Sequence, residues 1–146
     1  MSDLKNRVLS LVKDDLDAIE AALLENLNPN QDLVSKVAHH ILFSGGKRLR
    51  PLLMVLSARL CDYRGDYDKT FSVIFEYLHA ATLLHDDLVD GAELRRGKPA
   101  AHTVWGNEIA VLVGDFLLAR GLAIAAETGE PRIIRIISVE VIEKLL

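Results

Sequence analysis

Three aspartates stand close together in the middle of the chain, in the segment LLHDDLVD (83–90). Asp86, Asp87 and Asp90 fall in the last turn of a predicted helix that is apolar for most of its length and ends at Gly91. Carboxylates at a helix C-terminus oppose the macrodipole, which favours cations there. Asp86 and Asp90, four residues apart, also repel each other. Since folding alone does not favour this arrangement, we expect a positive group to bind here.

The neighbouring residue types indicate which cation this is. At about 100° per residue, Asp86 and Asp90 lie within roughly 20° of His79 around the predicted helix. Carboxylates without His or Cys at ligand spacing favour hard cations, so Mg²⁺ is preferred over Zn²⁺. Mg²⁺ completes its shell with water and phosphate oxygens, for which the guanidinium groups of Arg95 and Arg96 are also suited. An acidic helix end exposed to solvent is the simpler alternative.

A second charged segment, FSGGKRLRP (43–51), is predicted to be a loop that runs into a helix. Its two glycines end the preceding helix, and Pro51 suits the first position of the next one. Lys47, Arg48 and Arg50 therefore crowd a helix N-terminus, where free N–H groups and cationic side chains can bind an anion. Taken alone, the segment is better explained as a solvated basic turn. It is not a Walker A loop, because Lys47 is followed by Arg instead of Ser or Thr.

Helical periodicity surrounds both segments and predicts an all-α fold. Leu, Ala, Ile and Val abound while aromatic residues make up 5% of the chain, which suits packed helices better than a sandwich or barrel. A turn is predicted at 28–32, and a loop without paired strands at 91–107. Apolar residues recur at helical spacing in about six stretches: 3–27, 32–42, 51–63, 69–89, 108–127 and 132–146.

Composition and charge exclude several classes of protein. With 146 residues, 50% of them hydrophobic, the chain can form one ordinary core. A net charge of -4 gives no basic field for nucleic acid. Cys61 is the sole cysteine, which fits a reducing compartment, and the N-terminus lacks the apolar core of a signal peptide. Asp115 and Arg120 interrupt the most hydrophobic stretch, so we expect a largely buried helix and no membrane span. The sequence predicts a cytoplasmic protein.

Several motifs in register resemble those of the trans-isoprenyl diphosphate synthases, in particular the long-chain polyprenyl (octaprenyl-type) branch. The resemblance implies that residues 1–146 form the N-terminal half of an isoprenoid-synthase helical bundle, as part of a single domain. It extends over essentially the whole chain from residue 30. The matching segments are GGKRLRP (45–51), LLHDDLVD (83–90), RRGKPAAH (95–102) and WGNEIAVLVGDFLLAR (105–120).

The resemblance also implies a role for each charged residue. Asp86 and Asp90, with Asp87 in support, would bind Mg²⁺ that bridges the diphosphate of an allylic substrate. Arg95 would contact that same diphosphate. A second substrate, isopentenyl diphosphate, would be held by four residues: Lys47, Arg50, His79 and Arg96.

The implied reaction lengthens a prenyl chain by one isoprene unit. Mg²⁺ and the cations would stabilise the leaving diphosphate as the allylic C–O bond ionises, and the isopentenyl double bond would attack the carbocation. An apolar cavity would keep water from the cation. In this family, bulky residues about five positions before the first aspartate close the elongation tunnel. Ala81 and Thr82 stand there and are small, which implies a deep tunnel and a long product.

The sequence lacks the second aspartate-rich motif that synthases of this family carry on a later helix. After Asp115 the only acidic residues are Glu127, Glu130, Glu140 and Glu143. We prefer the interpretation that the chain is an N-terminal fragment, inactive alone, of an enzyme that is typically a homodimer. A non-catalytic small subunit of a heteromeric synthase is one alternative. A non-enzymatic helical bundle with an incidental Mg²⁺ site is the other. The intact set of site residues favours the first interpretation.

Overall fold

The computed structural model describes residues 2–27 and 32–145, and within these ranges α-helix dominates. The predicted all-α fold is confirmed, although the described ranges hold eight helices instead of about six. The turn predicted at 28–32 lies outside the described residues except for Asp32, which already belongs to a helix. In chain order the helices are α1 (Ser2–Leu11), α2 (Lys13–Glu25), α3 (Asp32–Leu42), α4 (Leu49–Leu60), α5 (Tyr67–Val89), α6 (Ala101–Trp105), α7 (Asn107–Glu127) and α8 (Pro131–Leu145).

Helix α5 lies at the centre of the fold and packs against α2, α3, α4 and α7. Its side chains Ile74, Tyr77 and Leu84 are at most 1% exposed. Burying one large aliphatic side chain stabilises a fold by about 1.5–3 kcal/mol. Gly121 of α7 allows close approach, since a Cβ there would stand 3.3 Å from Leu78 Cδ2 on α5. This packing fixes the position of the aspartates at the end of α5.

The prediction of one continuous helix over 3–27 is wrong, because the chain leaves helical geometry at Val12. This residue has φ −119° and ψ 12°, and its side chain is fully buried. Arg59 Nη1, on α4, donates a hydrogen bond to Leu11 O at 2.6 Å, and the same guanidinium pairs with Asp15. Arg59 thereby satisfies a carbonyl at a helix end that would otherwise lack a partner. The break therefore depends on a residue far along the chain.

Residues 91–107, predicted to be a loop without paired strands, form a short hairpin followed by α6. Strand β1 (Leu94–Arg95) pairs antiparallel with β2 (Lys98–Pro99). The two residues between them, Arg96 and Gly97, have positive φ values of 53° and 78°. Two residues with positive φ suit the tight turn of a two-residue hairpin. The prediction of no paired strands is therefore wrong here, and the hairpin fixes the positions of its arginines.

Helix α4 begins at Leu49 and ends at Leu60, whereas the sequence predicted 51–63. Pro51 still lies in the first turn, where its missing N–H group would have no helical partner. Arg48 stands immediately before the helix in a left-handed conformation, with φ 46° and ψ 40°. The loop therefore turns sharply at Arg48 before the helix starts.

Helix α7 is less buried than the sequence indicated. Seven of its residues are buried, but Leu112 is 62% exposed. Among the helices of the described ranges, α7 alone has the length and composition to cross a membrane, a test that core helices also pass. Its largest contact is with α5, so it packs as a core helix that keeps one side open.

Candidate active site

A cavity of about 540 Å³ lies between the end of α3, the loop at 43–48 and the middle of α5. Four of its lining residues are those that the sequence assigned to isopentenyl diphosphate: Lys47, Arg50, His79 and Arg96. They come from the loop, the first turn of α4, α5 and the hairpin, yet they line one cavity. Its apolar wall includes Ile41, Leu42, Ala80 and Leu83. Cations beside an apolar wall suit an anion that carries a hydrocarbon group.

Arg96 reaches this cavity by lying against the backbone of the loop at Gly46. A Cβ added at Gly46 would stand 2.8 Å from Arg96 Nη1, closer than real Cβ atoms approach a neighbour. Gly46 does not have a positive φ. The glycine therefore gives the guanidinium room at this position, and it is not needed for the backbone conformation.

Arg48 lies between Lys47 and Arg50 in the sequence, but its side chain is largely buried by contacts with two glutamates. Its Nε donates to Glu20 Oε1 at 2.5 Å and its Nη1 donates to Glu76 Oε2 at 2.8 Å. The guanidinium carbon lies 5.2 Å from the centroid of the Phe43 ring. Burial lowers the pKa of Arg48, but the hydrogen bonds and charges of the two glutamates outweigh it and leave the pKa above its usual value. Arg48 and Glu76 both line the cavity, so the three groups form an ion cluster in its wall.

The three aspartates of the acidic segment do not share one environment. Asp87 is 2% exposed, and Arg95 binds its carboxylate through two parallel hydrogen bonds. The distances are 2.6 Å from Nε to Oδ2 and 2.5 Å from Nη2 to Oδ1. The hydrogen bond to Asp87 raises the pKa of Arg95, against the effect of burial. The sequence assigned Arg95 to an allylic diphosphate, whereas in this structure its guanidinium holds Asp87.

Asp86 and Asp90 are both exposed and remain accessible to a cation. The described residues contain no group of three or more His, Cys, Asp or Glu side chains placed to hold a metal ion. A pair of accessible carboxylates nevertheless fits Mg²⁺, which commonly takes one or two carboxylates and fills its shell with water and phosphate oxygens. Asp86 and Asp90 are therefore the residues available for a cation at this end of α5.

His85 makes a contact that the sequence did not predict. Its Nε2 lies 3.4 Å from Val111 O and 3.5 Å from Asp115 Oδ1, both on α7. A Cβ at Gly114 would overlap the imidazole ring. The signal was present in the pattern VGDFLLAR, where a glycine precedes the aspartate in an otherwise apolar helix. His85 thus ties the acidic end of α5 to α7.

The two small residues assigned to chain length lie on α5 before the aspartates. Ala81 is 2% exposed and belongs to the core, while Thr82 is half-buried with its hydroxyl donating to His79 O at 2.9 Å. Their neighbours Ala80 and Leu83 line the cavity instead. The role of Ala81 and Thr82 in product length stays a prediction.

Residues 31–145 match the family model described as polyprenyl synthetase. With this fold and cavity, the chain belongs to the polyprenyl synthetase family, and the resemblance inferred from its motifs is confirmed. Octaprenyl diphosphate synthase of Escherichia coli (strain K12) is 38% identical over 132 residues, 90% of this chain. Heptaprenyl diphosphate synthase component 2 of Bacillus subtilis (strain 168) is 39% identical over 147 residues, 100% of this chain.

A solved structure also matches the fold. A polyprenyl synthase from Caulobacter crescentus CB15, complexed with calcium and isoprenyl diphosphate, has a TM-score of 0.87 at 38% identity over 93% of this chain. The chain spans 41% of the length of the Escherichia coli protein and 42% of each of the other two. The comparisons therefore establish the family and the helical fold of this chain.

Proposed function

We propose that the chain forms one wall of the active site of a Mg²⁺-dependent synthase that makes long-chain polyprenyl diphosphates. Its substrates are isopentenyl diphosphate and an allylic prenyl diphosphate, joined head to tail. The observation that carries the proposal is the convergence of Lys47, Arg50, Arg96 and His79 on one partly apolar cavity, lined by the helix that ends in two exposed carboxylates. Relatives named for octaprenyl and heptaprenyl products support a long chain, and the Caulobacter complex supports an isoprenyl diphosphate ligand beside a divalent cation.

The residues of the chain divide the work by their chemistry. Lys47, Arg50 and Arg96 bind the diphosphate of isopentenyl diphosphate, because ammonium and guanidinium groups form charge-assisted hydrogen bonds to phosphate oxygens. Asp86 and Asp90 hold Mg²⁺, which when bound supplies positive charge to the departing allylic diphosphate.

The apolar lining has a separate task in this proposal. Ala80 and Leu83 lie beside the cations and exclude water from the bond that ionises. The carbocation that forms when the isopentenyl double bond attacks loses a proton to the released diphosphate, and this loss creates the double bond of the allylic product. Arg95 acts mainly by holding Asp87 and presents the exposed quarter of its side chain, 26%, toward the allylic diphosphate.

The 146 residues contain a single DDxxD motif, at 86–90, so we propose that they are inactive alone. A second set of metal ligands then comes from outside them, in a longer form of this polypeptide or in a partner. We also propose that the assembled enzyme is a cytoplasmic homodimer and that α7 packs in its core without spanning a membrane. Nucleic acid is not among its proposed partners.

A second candidate function is a non-catalytic subunit of a heteromeric synthase. The Bacillus subtilis relative favours a heteromeric assembly, because its name marks it as component 2 of a heptaprenyl diphosphate synthase. The intact cavity cations and the exposed Asp86 and Asp90 favour the catalytic interpretation, because a subunit without catalysis has no need to keep them. Membership of the family argues against an incidental Mg²⁺ site on an unrelated helical bundle.

Calorimetric titration of isopentenyl diphosphate into the 146-residue chain tests the proposed pocket. We expect binding that Arg50→Met abolishes. Arg64→Met is the matched control, because Arg64 is an exposed arginine paired with Asp62 away from the cavity. Equal affinity in both variants would place the ligand elsewhere.

Activity is measured with radiolabelled isopentenyl diphosphate, an allylic primer and Mg²⁺. We expect no incorporation by the 146-residue chain alone. Incorporation would overturn the proposal that a second acidic wall is needed, while leaving the pocket assignment to the titration.

A further inference from the structure

Arg48 lines the cavity together with Lys47 and Arg50, but its guanidinium group is hydrogen-bonded to two glutamates. Its side chain is 17% exposed, and two of its three guanidinium nitrogens are hydrogen-bonded to Glu20 and Glu76. Its neighbours in the sequence, Lys47 and Arg50, are exposed and also line the cavity. Arg48 therefore connects the loop to α2 and α5, while its neighbours remain available to a ligand.

The backbone at Arg48 makes this connection structurally important. Its φ of 46° lies in the left-handed region, which is unfavourable for a residue with a Cβ. Such a conformation persists when surrounding contacts determine it. The ion pairs to α2 and α5 and the Phe43 ring beneath the guanidinium are those contacts. The turn at Arg48 sets the directions in which Lys47 and Arg50 leave the loop.

The ion pair between Arg48 and Glu76 also affects the electrostatic potential of the cavity. This carboxylate lines the cavity, and its side chain is only 9% exposed. An unpaired carboxylate in the wall would repel a diphosphate, and it would be poorly screened by solvent. Arg48 Nη1, 2.8 Å away, supplies the compensating charge.

We propose that Arg48 is a positioning residue of the diphosphate pocket, which anchors the loop through Glu20 and Glu76 and prevents Glu76 from repelling the ligand. The proposal rests on the proposed function, because it takes isopentenyl diphosphate as the ligand of the cavity. Arg48 lines the cavity, but its two hydrogen bonds to the glutamates commit most of its guanidinium group, so it acts through the loop and Glu76.

The test measures the Kd of isopentenyl diphosphate by calorimetry on the 146-residue chain, at a temperature where circular dichroism shows each variant folded. Arg48→Met should raise Kd about tenfold or more, since it leaves the Glu76 charge uncompensated and the loop unanchored. Adding Glu76→Gln to that variant should recover about half of the loss on a logarithmic scale, because the repelling charge is removed. Arg64→Met should leave Kd unchanged.

The outcomes separate this inference from the proposed function. A wild-type Kd in Arg48→Met, or no recovery in the double variant, would overturn the positioning role while the pocket stands. If Arg48 contributes only to stability, Arg48→Met and the double variant should both melt at a lower temperature, and Glu76→Gln should not restore affinity. That result would contradict the positioning role. If Arg48→Met does not fold, Arg48→Gln replaces it, and an unchanged Kd there overturns the inference, because glutamine also removes the charge. A wild-type chain that does not bind would overturn the proposed function and this inference with it.

Discussion

The buried pair of Asp87 and Arg95 predicts a large difference between aspartates of the same segment. Asp87→Asn removes the charge that two hydrogen bonds of 2.6 Å and 2.5 Å now satisfy, in a side chain that is 2% exposed. Removing one partner of a buried ion pair costs about 3–5 kcal/mol. Arg95 keeps some contact with solvent, at 26% exposure, so we expect the lower end of that range, about 3 kcal/mol.

That loss is readily measured by thermal and urea unfolding of the 146-residue chain. For a protein of this size a change of 1 kcal/mol shifts Tm by about 2–4 °C, so Asp87→Asn should lower Tm by about 6–12 °C. Asp90→Asn is the matched control, because Asp90 is exposed. It should change the free energy of unfolding by less than about 0.5 kcal/mol, and relief of the repulsion with Asp86 favours a slight gain.

The reverse substitution sharpens this prediction. Arg95→Met leaves the Asp87 carboxylate without its partner, and Asp87 is the more buried of the two groups. Its cost should therefore equal or exceed that of Asp87→Asn. Equal stability of the Asp87 and Asp90 variants would refute the reasoning, since it would mean that the buried pair contributes no more than an exposed carboxylate.

Three further predictions concern other parts of α5 and its neighbour α7. Gly114→Ala places a Cβ within the ring of His85 and should lower the free energy of unfolding by about 1–3 kcal/mol, the usual cost of overpacking, in the same urea assay. Burial raises the pKa of Tyr77, whose hydroxyl donates to Leu23 O at 2.6 Å. In the unfolded chain this tyrosine ionises at about pH 10, whereas in the folded chain it stays neutral. The free energy of unfolding should therefore fall as the pH rises above that value. Tyr77→Phe should be less stable by about 1 kcal/mol at pH 7 and should show a smaller alkaline loss, and parallel pH profiles would contradict this. Ala81→Phe in a complete, active enzyme should shorten the prenyl product, measured by chromatography, and an unchanged length would remove the tunnel argument.

Local sequence patterns were sufficient to predict most of the helices, and they failed where distant residues decide the structure. The central helix was predicted at 69–89 and begins at Tyr67, because apolar spacing reflects its burial on several sides. No Gly or Pro marks the break at Val12 in the sequence. Arg59, which donates a hydrogen bond to Leu11 O at this break, belongs to another helix. The hairpin was missed because its turn begins with Arg96, where Asn or Gly is the usual signal.

The candidate site was predictable in its residue types but not in its internal pairing. The resemblance indicated the four residues that line the cavity, and the structure brings them together. Helical spacing places Asp87 on the face of the buried Ala80 and Leu84, seven and three residues earlier, but it does not predict that Arg95 pairs with it. The use of Arg48 as an internal anchor was equally hidden, because its partners Glu20 and Glu76 lie 28 residues away on either side.

The left-handed conformation of Arg96 indicates a trade-off between stability and ligand recognition. An arginine at this turn position, with φ 53°, is less favourable than the glycine that hairpin turns commonly carry. Arg96→Gly should therefore relieve backbone strain, by roughly 1 kcal/mol, while it removes a cation from the cavity. A variant that melts later but binds isopentenyl diphosphate more weakly would mean that selection kept a strained residue for its side chain.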